Sequence, residues 1–242
     1  RGGRGISGLT RREEDVVCDL FTSSSHDYLC FFTNRGKMFR LKCYEIPEAS
    51  RTSRGTNIVN ILPIEQDEKI SAVLRIKDFE AESFLVMVTR KGIIKRTELN
   101  QYRNIRKSGI IAINLDEDDE LAWVRETDGH QEMIVATRGG MVIRFAEEDA
   151  RAMGRTARGV KAIELSDGDE VVGMARVKEG ATLLTVTEQG AGRRSDFDNY
   201  RLQTRGGKGV RNYKVSEEKG QVAAVRAVTP DDDIIMITDD GI

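Results

Sequence analysis

Short glycine-rich stretches that carry arginine or lysine recur along this chain at nearly constant spacing. The first reads RGGRG and ends at Gly5, and a near copy, QTRGGKG, ends at Gly209. Degenerate copies end at Gly55, Gly109 and Gly159, so the intervals are 50, 54, 50 and 50 residues. Cations on glycine-rich turns bring positive charge and backbone N–H groups close to an anion, and phosphate groups suit that arrangement. The pattern therefore indicates phosphate binding at five equivalent places.

A second pattern, Thr-x-x-Gly with an arginine four residues after the glycine, has the same period. The pairs are Gly36 and Arg40, Gly92 and Arg96, Gly140 and Arg144, and Gly190 and Arg194, with a fifth copy at MITDDGI. Two independent patterns with one period indicate a repeat of about 50 residues. Because a tight turn between strands requires a residue at positive φ, we interpret these glycines and Gly241 as turn residues rather than ligand contacts.

The segments between these turns are typical of β-strands. After Gly55 the chain reads NIVNIL, the acidic turn EQDEK, ISAVLRI, SFLVMVT and IIKRT, and later repeats follow the same order. Four strands in about 50 residues is the size of a propeller blade. The sequence predicts an all-β fold of four-stranded antiparallel blades, as a single domain over residues 1–242 with incomplete first and last blades. The single tryptophan, Trp123, excludes a WD40 chain, and the acidic turn 116–120 is expected to be a solvated hairpin end.

Positive charge is concentrated in one part of each repeat. The stretches 35–55, 90–109, 138–161 and 188–211 hold 25 of the 38 basic residues and 9 of the 40 acidic ones. Their net charge is +16, which the overall charge of −2 conceals. If the repeats stack, these parts form one basic track.

The sequence contains no catalytic constellation that we can identify. GRGISG fits G-x-G-x-x-G, but strand-like VVCDLF follows it where a dinucleotide site needs a helix. GRTARGVK has Val160 where a P-loop has lysine. Tyr102 and Tyr200 occupy matching positions in two repeats, which favours a packing role. We therefore predict that the domain itself is not an enzyme.

Metal and membrane sites are also not expected. Cys18, Cys30 and Cys43 lack C-x-x-C spacing, which favours reduced thiols in a cytosolic protein. His26 and His130 are isolated from the cysteines, which makes a zinc site improbable. Without a run of about 18 apolar residues or a signal peptide, we expect no membrane segment.

Double-stranded DNA, held by its phosphates, is the ligand that fits the basic track best. Aromatic residues make up 6% of the chain and are not interleaved with the basic turns, as single-strand binding would require. The expected contacts are Arg1, Arg4, Arg35, Lys37, Arg40, Arg51, Arg54, Arg90, Lys91, Arg96, Arg106, Lys107, Arg138, Arg144, Arg155, Arg158, Arg194, Arg205 and Lys208.

The residues also resemble a known family, the C-terminal domain of the DNA gyrase A subunit. RGGRG matches the end of the gyrase-A box, Gln-basic-Arg-Gly-Gly-basic-Gly, and the similarity covers the whole chain. The flanking text is similar too, in FFTNRGKMFRLKCYEIPEASRTSRGTNIVNILP, RKSGIIAINLDEDDEL and MGRTARGVKAIEL. Arg1, Gly2, Gly3, Arg4 and Gly5 would be positions three to seven of the box. Residues 203–209 fit the full frame except at Thr204, where a basic residue would stand.

The resemblance implies a fold, a function and partners. The fold would be a β-pinwheel, a six-bladed propeller-like disc whose neighbouring blades exchange strands. Its outer rim would wrap duplex DNA so that ATP-driven strand passage introduces negative supercoils. The partners would be the N-terminal part of the gyrase A subunit, which carries the catalytic tyrosine, and the gyrase B subunit, which carries the ATPase. ATP and magnesium would belong to those parts, and this domain would be a cytoplasmic, nucleoid-associated monomer without a cofactor.

Two alternatives remain open at this point. The chain could be the equivalent domain of topoisomerase IV, which lacks an intact box, or a propeller-like scaffold for protein interactions. The DNA-binding hypothesis makes two structural predictions. The glycine-rich elements should lie on one rim in successive blades. The hairpin arginines, Arg40, Arg96, Arg144 and Arg194, should face solvent at equivalent places around that rim.

Overall fold

The computed structural model describes residues 27–42 and 61–230, and this part of the chain is all β. The strands are β1 (Tyr28–Thr33), β2 (Lys37–Lys42), β3 (Ile70–Ile76), β4 (Phe84–Thr89), β5 (Ile93–Glu98), β6 (Ile110–Ile111), β7 (Leu121–Thr127), β8 (Glu132–Thr137), β9 (Met141–Ala146), β10 (Val160–Lys161), β11 (Val171–Arg176), β12 (Thr182–Thr187), β13 (Gly192–Asp196), β14 (Val210–Arg211) and β15 (Val222–Val228). Three one-turn 3-10 helices follow the hairpins, at Leu99–Tyr102, Glu147–Asp149 and Phe197–Asn199. No helix within the described ranges is long and apolar enough to cross a membrane.

The strands form four antiparallel sheets, each built on one hairpin. The strand orders are β3-β1-β2-β6, β7-β4-β5-β10, β11-β8-β9-β14 and β15-β12-β13. The first three sheets have four strands, as expected for blades, and the fourth has three among the described residues. The described residues form four blades, so the expected total of six stays a prediction. The assignment of residues 1–242 to a single domain also stays a prediction.

Successive repeats exchange strands at the outer edge of each sheet. The two-residue strand β6 follows the second hairpin in the chain but pairs with β2 of the first, and β10 and β14 are displaced in the same way. At the opposite edge, β3 contacts β7 and β11 contacts β15, so this edge faces the neighbouring blades. The exchanged strands β6, β10 and β14 therefore lie on the rim, farthest from the contacts between inner strands. This is the pinwheel that the resemblance implies.

The repeat unit read from the sequence is divided differently by the sheets. The segments GIIAINL and GVKAIEL contribute only β6 and β10, and each skips the hairpin directly before it and joins the sheet of the hairpin before that. The strand after each acidic turn pairs instead with the hairpin directly before it: β7 with β4, and β11 with β8. A four-stranded blade therefore needs strands from three consecutive repeats, which ties neighbouring repeats together.

The hairpin turns show why threonine and glycine recur there. Gly36 and Gly92 have φ of +80° and +88°, in the left-handed region that glycine alone adopts without strain. The buried hydroxyls of Thr33 and Thr89 accept hydrogen bonds from the N–H four residues on, at 3.2 and 3.1 Å. The turn-glycine prediction is confirmed for the four described hairpins, and Gly241 lies outside the described residues.

The core lies between the sheets. Phe32 and Met38 of the first sheet pack with Leu85 and Met87 of the second, and equivalent clusters join the second sheet to the third and the third to the fourth. Cys30 is a fully buried free thiol in the first of these clusters, and burial raises its pKa. Cys30 is thus buried, its reduced state stays a prediction, and the other two cysteines lie outside the described residues.

Candidate nucleic-acid interface

The glycine-rich elements, 103–109, 153–159 and 203–209, lead directly into the exchanged strands. Their last residues, Gly109, Gly159 and Gly209, have φ of +86°, +101° and +76°. A Cβ at Gly159 would lie 2.5 Å from the Ile94 carbonyl oxygen, and one at Gly209 only 2.3 Å from that of Val142. Glycine is therefore required where each element crosses onto the sheet of the preceding blade.

Consecutive elements are linked along the outer edge through the segment that follows each exchanged strand. The carbonyls of Ala157 and Gly207 accept hydrogen bonds from Asn114 and Glu164, at 3.1 and 2.8 Å, just beyond the preceding exchanged strand. Each element therefore rests on the rim segment that follows the element before it. The predicted arrangement of elements on one rim in successive blades is confirmed for the three described, while the elements ending at Gly5 and Gly55 lie outside the described residues.

The first arginine of two elements secures this contact. Arg155 Nη1 donates to the carbonyl of Ile111 in β6, and Arg205 Nη1 donates to that of Lys161 in β10 at 2.9 Å. Arg205 also donates from Nε to the Asp149 carbonyl at 3.1 Å. Both guanidinium groups are committed to backbone carbonyls, so they hold the elements at fixed spacing.

Other cations of the elements face solvent. Arg106, Lys107 and Lys208 are exposed and form no ion pair within the described ranges. Arg158 is also exposed, with its side chain 3.3 Å from the Asp116 carboxylate. An exposed pair of this kind is worth little, so a phosphate can compete for the guanidinium.

Two exposed cations on the rim were missed by the sequence reasoning. Lys161 in β10 and Arg211 in β14 are exposed, whereas Val160 and Val210 before them turn toward the core. A signal was present, since basic-Gly-Val-basic occurs at residues 158–161 and again at 208–211.

Cations at the hairpin turns are paired with the acidic turns. The pairs are Arg35 with Glu65 and Asp67, Arg90 with Glu120 and Arg138 with Glu170. The three arginine side chains are about 40% exposed, so these pairs are screened by solvent. Lys37 is half-buried and Lys91 is exposed. Binding of DNA by these five residues stays a prediction. The acidic turn 116–120 is solvated, as expected.

The hairpin arginines do not share the solvent-facing position that we expected. The side chains of Arg96 and Arg144 are 10% and 14% exposed and lie 3.8 and 3.1 Å from Glu147 and Glu132, so the expectation is wrong for both. Arg40 is half-buried against two aromatic rings. Of the four, Arg194 alone is exposed.

The physical reason is that the connector after the next hairpin passes over three of these arginines. The backbone carbonyls of this connector are not paired in a sheet, so they need other hydrogen-bond donors. The hydrogen bonds run from Arg40 to Arg103 (3.0 Å), from Arg96 to Ala150 (2.8 Å) and from Arg144 to Phe197 (2.9 Å). These arginines therefore fasten each blade to the connector of the following one. Binding of DNA by the hairpin arginines stays a prediction.

Two buried charged residues near these arginines, Glu147 and Lys95, were not expected. Glu147 is fully buried where neighbouring repeats have Leu99 and Phe197, and it accepts hydrogen bonds from Thr127 and Gln131. In the second sheet, Lys95 is 1% exposed.

The ammonium group of Lys95 lies 2.9 Å from the Tyr102 hydroxyl and 2.7 Å from the Ala112 carbonyl. Burial, and to a smaller extent the charge of Arg155, lowers the pKa of Lys95 to about 7. Burial also raises the pKa of Tyr102. Tyr102 is fully buried and Tyr200 is 3% exposed, so their expected packing role is confirmed.

Part of the predicted interface lies outside the described residues. It comprises Arg1, Gly2, Gly3, Arg4, Gly5, Arg51 and Arg54. Their contribution rests on their positions in the repeat frame, where Arg4 and Arg54 correspond to Arg158 and Lys208.

Comparison with known proteins agrees with this architecture. The family described as "DNA gyrase C-terminal domain, beta-propeller" matches residues 27–77, 83–128, 131–178 and 181–229. The DNA gyrase A subunit of Staphylococcus aureus (strain NCTC 8325 / PS 47) is 44% identical over 245 residues, covering 100% of this chain and 28% of that protein. Its counterpart from strain COL matches equally. The chain thus spans 28% of the length of these relatives.

Two solved structures are similar. The C-terminal domain of DNA topoisomerase IV has a TM-score of 0.79 and 30% identity, over 85% of this chain and 64% of that one. The DNA gyrase A C-terminal domain has a TM-score of 0.72 and 29% identity, over 86% of this chain and 68% of that one. The four matched segments each contain one hairpin and the long strand that pairs with it, and this chain belongs to the DNA gyrase C-terminal domain family.

Proposed function

We propose that this domain binds duplex DNA along its outer rim and bends it around the disc. The observation that carries the proposal is the set of consecutive glycine-rich elements, each bonded to the rim segment after the element before it and presenting exposed cations at the same edge of successive blades. A curved, continuous row of cations suits the phosphate backbone of a bent duplex, because phosphate contacts position a protein without reading sequence. The domain supplies no catalytic group to this function.

The number of exposed cations sets the expected strength of the salt dependence. Six of them lie on the described rim, namely Arg106, Lys107, Arg158, Lys161, Lys208 and Arg211. If each neutralises one phosphate, the slope of log affinity against log salt is about −5. Affinity for a short duplex then falls by roughly a thousandfold between 50 and 200 mM salt.

Within a complete enzyme the domain would steer strand passage rather than perform it. We propose that its partners in the cytoplasm are the N-terminal part of the gyrase A polypeptide and the gyrase B polypeptide. The wrapped segment would present a crossing of fixed hand, so that ATP-dependent passage introduces negative supercoils. ATP, magnesium and the catalytic tyrosine would be supplied by those other parts.

Fluorescence anisotropy with a labelled duplex of random sequence, at several salt concentrations, tests DNA binding. The expected result is tight binding at 50 mM salt with the slope given above. Arg106→Ala with Lys107→Ala should weaken binding and flatten the slope by about 2. Binding that is absent or independent of salt would contradict the proposal and favour a scaffold for protein interactions.

A second candidate is the equivalent domain of topoisomerase IV, which the structural likeness to that domain favours. Both candidates bind duplex DNA, so binding does not separate them. The sequence RGGRG at residues 1–5 favours the gyrase function because it matches the end of the box that topoisomerase IV lacks. Ligation of nicked circles on the protein separates them, since only a domain that wraps DNA fully shifts the linking number strongly.

A further inference from the structure

We propose that the rim holds DNA through a repeated two-cation site, formed by the last basic residue of a glycine-rich element and the outward residue of the exchanged strand that follows. The two copies in the described residues are Arg158 with Lys161 and Lys208 with Arg211. Their ligand is the phosphodiester backbone of duplex DNA. The inference rests on the proposed function and specifies which residues carry it.

The geometry of the exchanged strand places both cations outward. In β10, Val160 pairs with Ile94 of β5 and turns toward the core, so the next residue, Lys161, points away from it. Gly159, between the two cations, has its backbone fixed at φ +101° against the Ile94 carbonyl. The backbone that carries both side chains is thus held rigidly by the preceding blade. In β14 the same residues recur, with Val210 paired to Val142 and Arg211 exposed.

A division of labour within each element follows. Arg205 cannot offer its donors freely, because Nε and Nη1 bind the carbonyls of Asp149 and Lys161. Its bond to Lys161 instead fixes the very residue that we assign to the phosphate site. Arg205, like Arg155 one repeat earlier, is therefore a positioning residue, and the cation at the end of the element makes the contact.

The site is absent from the preceding repeat, which offers an internal comparison. The corresponding positions there are Ser108 and Ile111, and Ile111 is 50% exposed although it is apolar. Its carbonyl still accepts the bond from Arg155, so the strand is built like the others. The position is therefore ready to receive a cation without a change of fold.

The first test removes two of the assigned cations, Lys161→Ala with Arg211→Ala. A lost phosphate contact costs about 8-fold at 0.1 M salt if it contributes nothing at 1 M, so the pair should lose about 50-fold in affinity and flatten the salt slope by about 2. The matched control is Lys77→Ala with Lys178→Ala, which removes the same charge. Both control residues are exposed, in loops at the ends of the sheets opposite the hairpin turns. The control should lose less than about threefold.

The second test adds one of the two missing cations, on the exchanged strand, by Ile111→Lys. It should raise affinity by about 8-fold at 0.1 M salt and steepen the slope by about 1. If the parent binds with a steep slope but the rim variant matches the control, or Ile111→Lys gains nothing, the two-cation site is wrong. If the parent itself does not bind duplex DNA, the proposed function fails instead. Circular dichroism on every variant ensures that a folded domain is compared.

Discussion

Replacing Arg96 by methionine should destabilise the fold while leaving the DNA-facing rim intact. Arg96 is one of the arginines that the sequence suggested for phosphate contact, yet its side chain is 10% exposed and lies over the ring of Phe84. Its Nε donates to the Ala150 carbonyl at 2.8 Å, and Nη1 lies 3.8 Å from the Glu147 carboxylate. Methionine keeps much of the apolar volume but removes the donors and the charge.

The magnitude follows from what is left unpaired. Removing one partner of a buried ion pair costs about 3–5 kcal/mol, because the remaining charge stays in the interior. Glu147 is fully buried but keeps its hydrogen bonds from Thr127 and Gln131, at 2.7 and 2.8 Å, which favours the lower end of that range. The lost bond to Ala150 adds about 1 kcal/mol. We therefore expect the free energy of unfolding to fall by about 4 kcal/mol.

Urea unfolding followed by circular dichroism measures this change, with Arg194→Met as the matched control. Arg194 is the equivalent residue in the fourth hairpin, but it is exposed, so its replacement should change stability by less than about 0.5 kcal/mol. Adding Glu147→Gln to Arg96→Met should recover about 1–2 kcal/mol, because a neutral amide needs no cation. If Arg96→Met is as stable as the parent but binds duplex DNA much more weakly, the structural role is refuted.

Two further predictions concern the buried groups of the rim. Because the pKa of Lys95 is lowered to about 7, the unfolded chain keeps a proton there that the folded chain releases as pH rises. Between pH 7 and pH 9 the unfolding free energy of the parent should therefore rise by about 2 kcal/mol relative to that of Lys95→Met. Urea titrations that show a constant difference between the two proteins would contradict this. Gly159→Ala should lower the free energy of unfolding by about 2 kcal/mol or more, since its Cβ would meet the Ile94 carbonyl at 2.5 Å. Gly168 also has a positive φ but nothing within 4 Å of a Cβ, so Gly168→Ala should cost only about 1 kcal/mol. Equal melting temperatures for the two variants would show that the close approach is unimportant.

Local signals explain what could be predicted from the sequence. The strands Ile70–Ile76, Glu132–Thr137 and Thr182–Thr187 coincide with the segments read from β-branched residues and flanking turns. The turn glycines and the spacing of the elements are likewise local properties. The strand exchange is different, because β6 and β10 have only two residues each and lie inside longer apolar runs. The resemblance to a family implied it, while the strand pattern alone did not.

Side-chain burial was harder to predict because it depends on the neighbouring repeat. The connector after the third hairpin covers Arg96, whose Nε donates to the Ala150 carbonyl 54 residues further along the chain. The local sequence of its hairpin does not show that this carbonyl will lie there. Lys161 and Arg211 were missed because they come two residues after the last glycine of the element. Their exposure is evident only once the two-residue strands β10 and β14 are known.

The central claim, that this domain wraps duplex DNA around its rim, is tested most directly by ligating nicked circular DNA in the presence of increasing amounts of the domain. After the protein is removed, gel electrophoresis gives the linking number of the closed circles. Our account predicts a shift of one sign that grows with the amount of bound protein, and a loss of that shift in Arg1→Ala with Arg4→Ala while short-duplex affinity changes by less than about tenfold. Circles that close with an unchanged linking number, although the domain is bound to them, would contradict it.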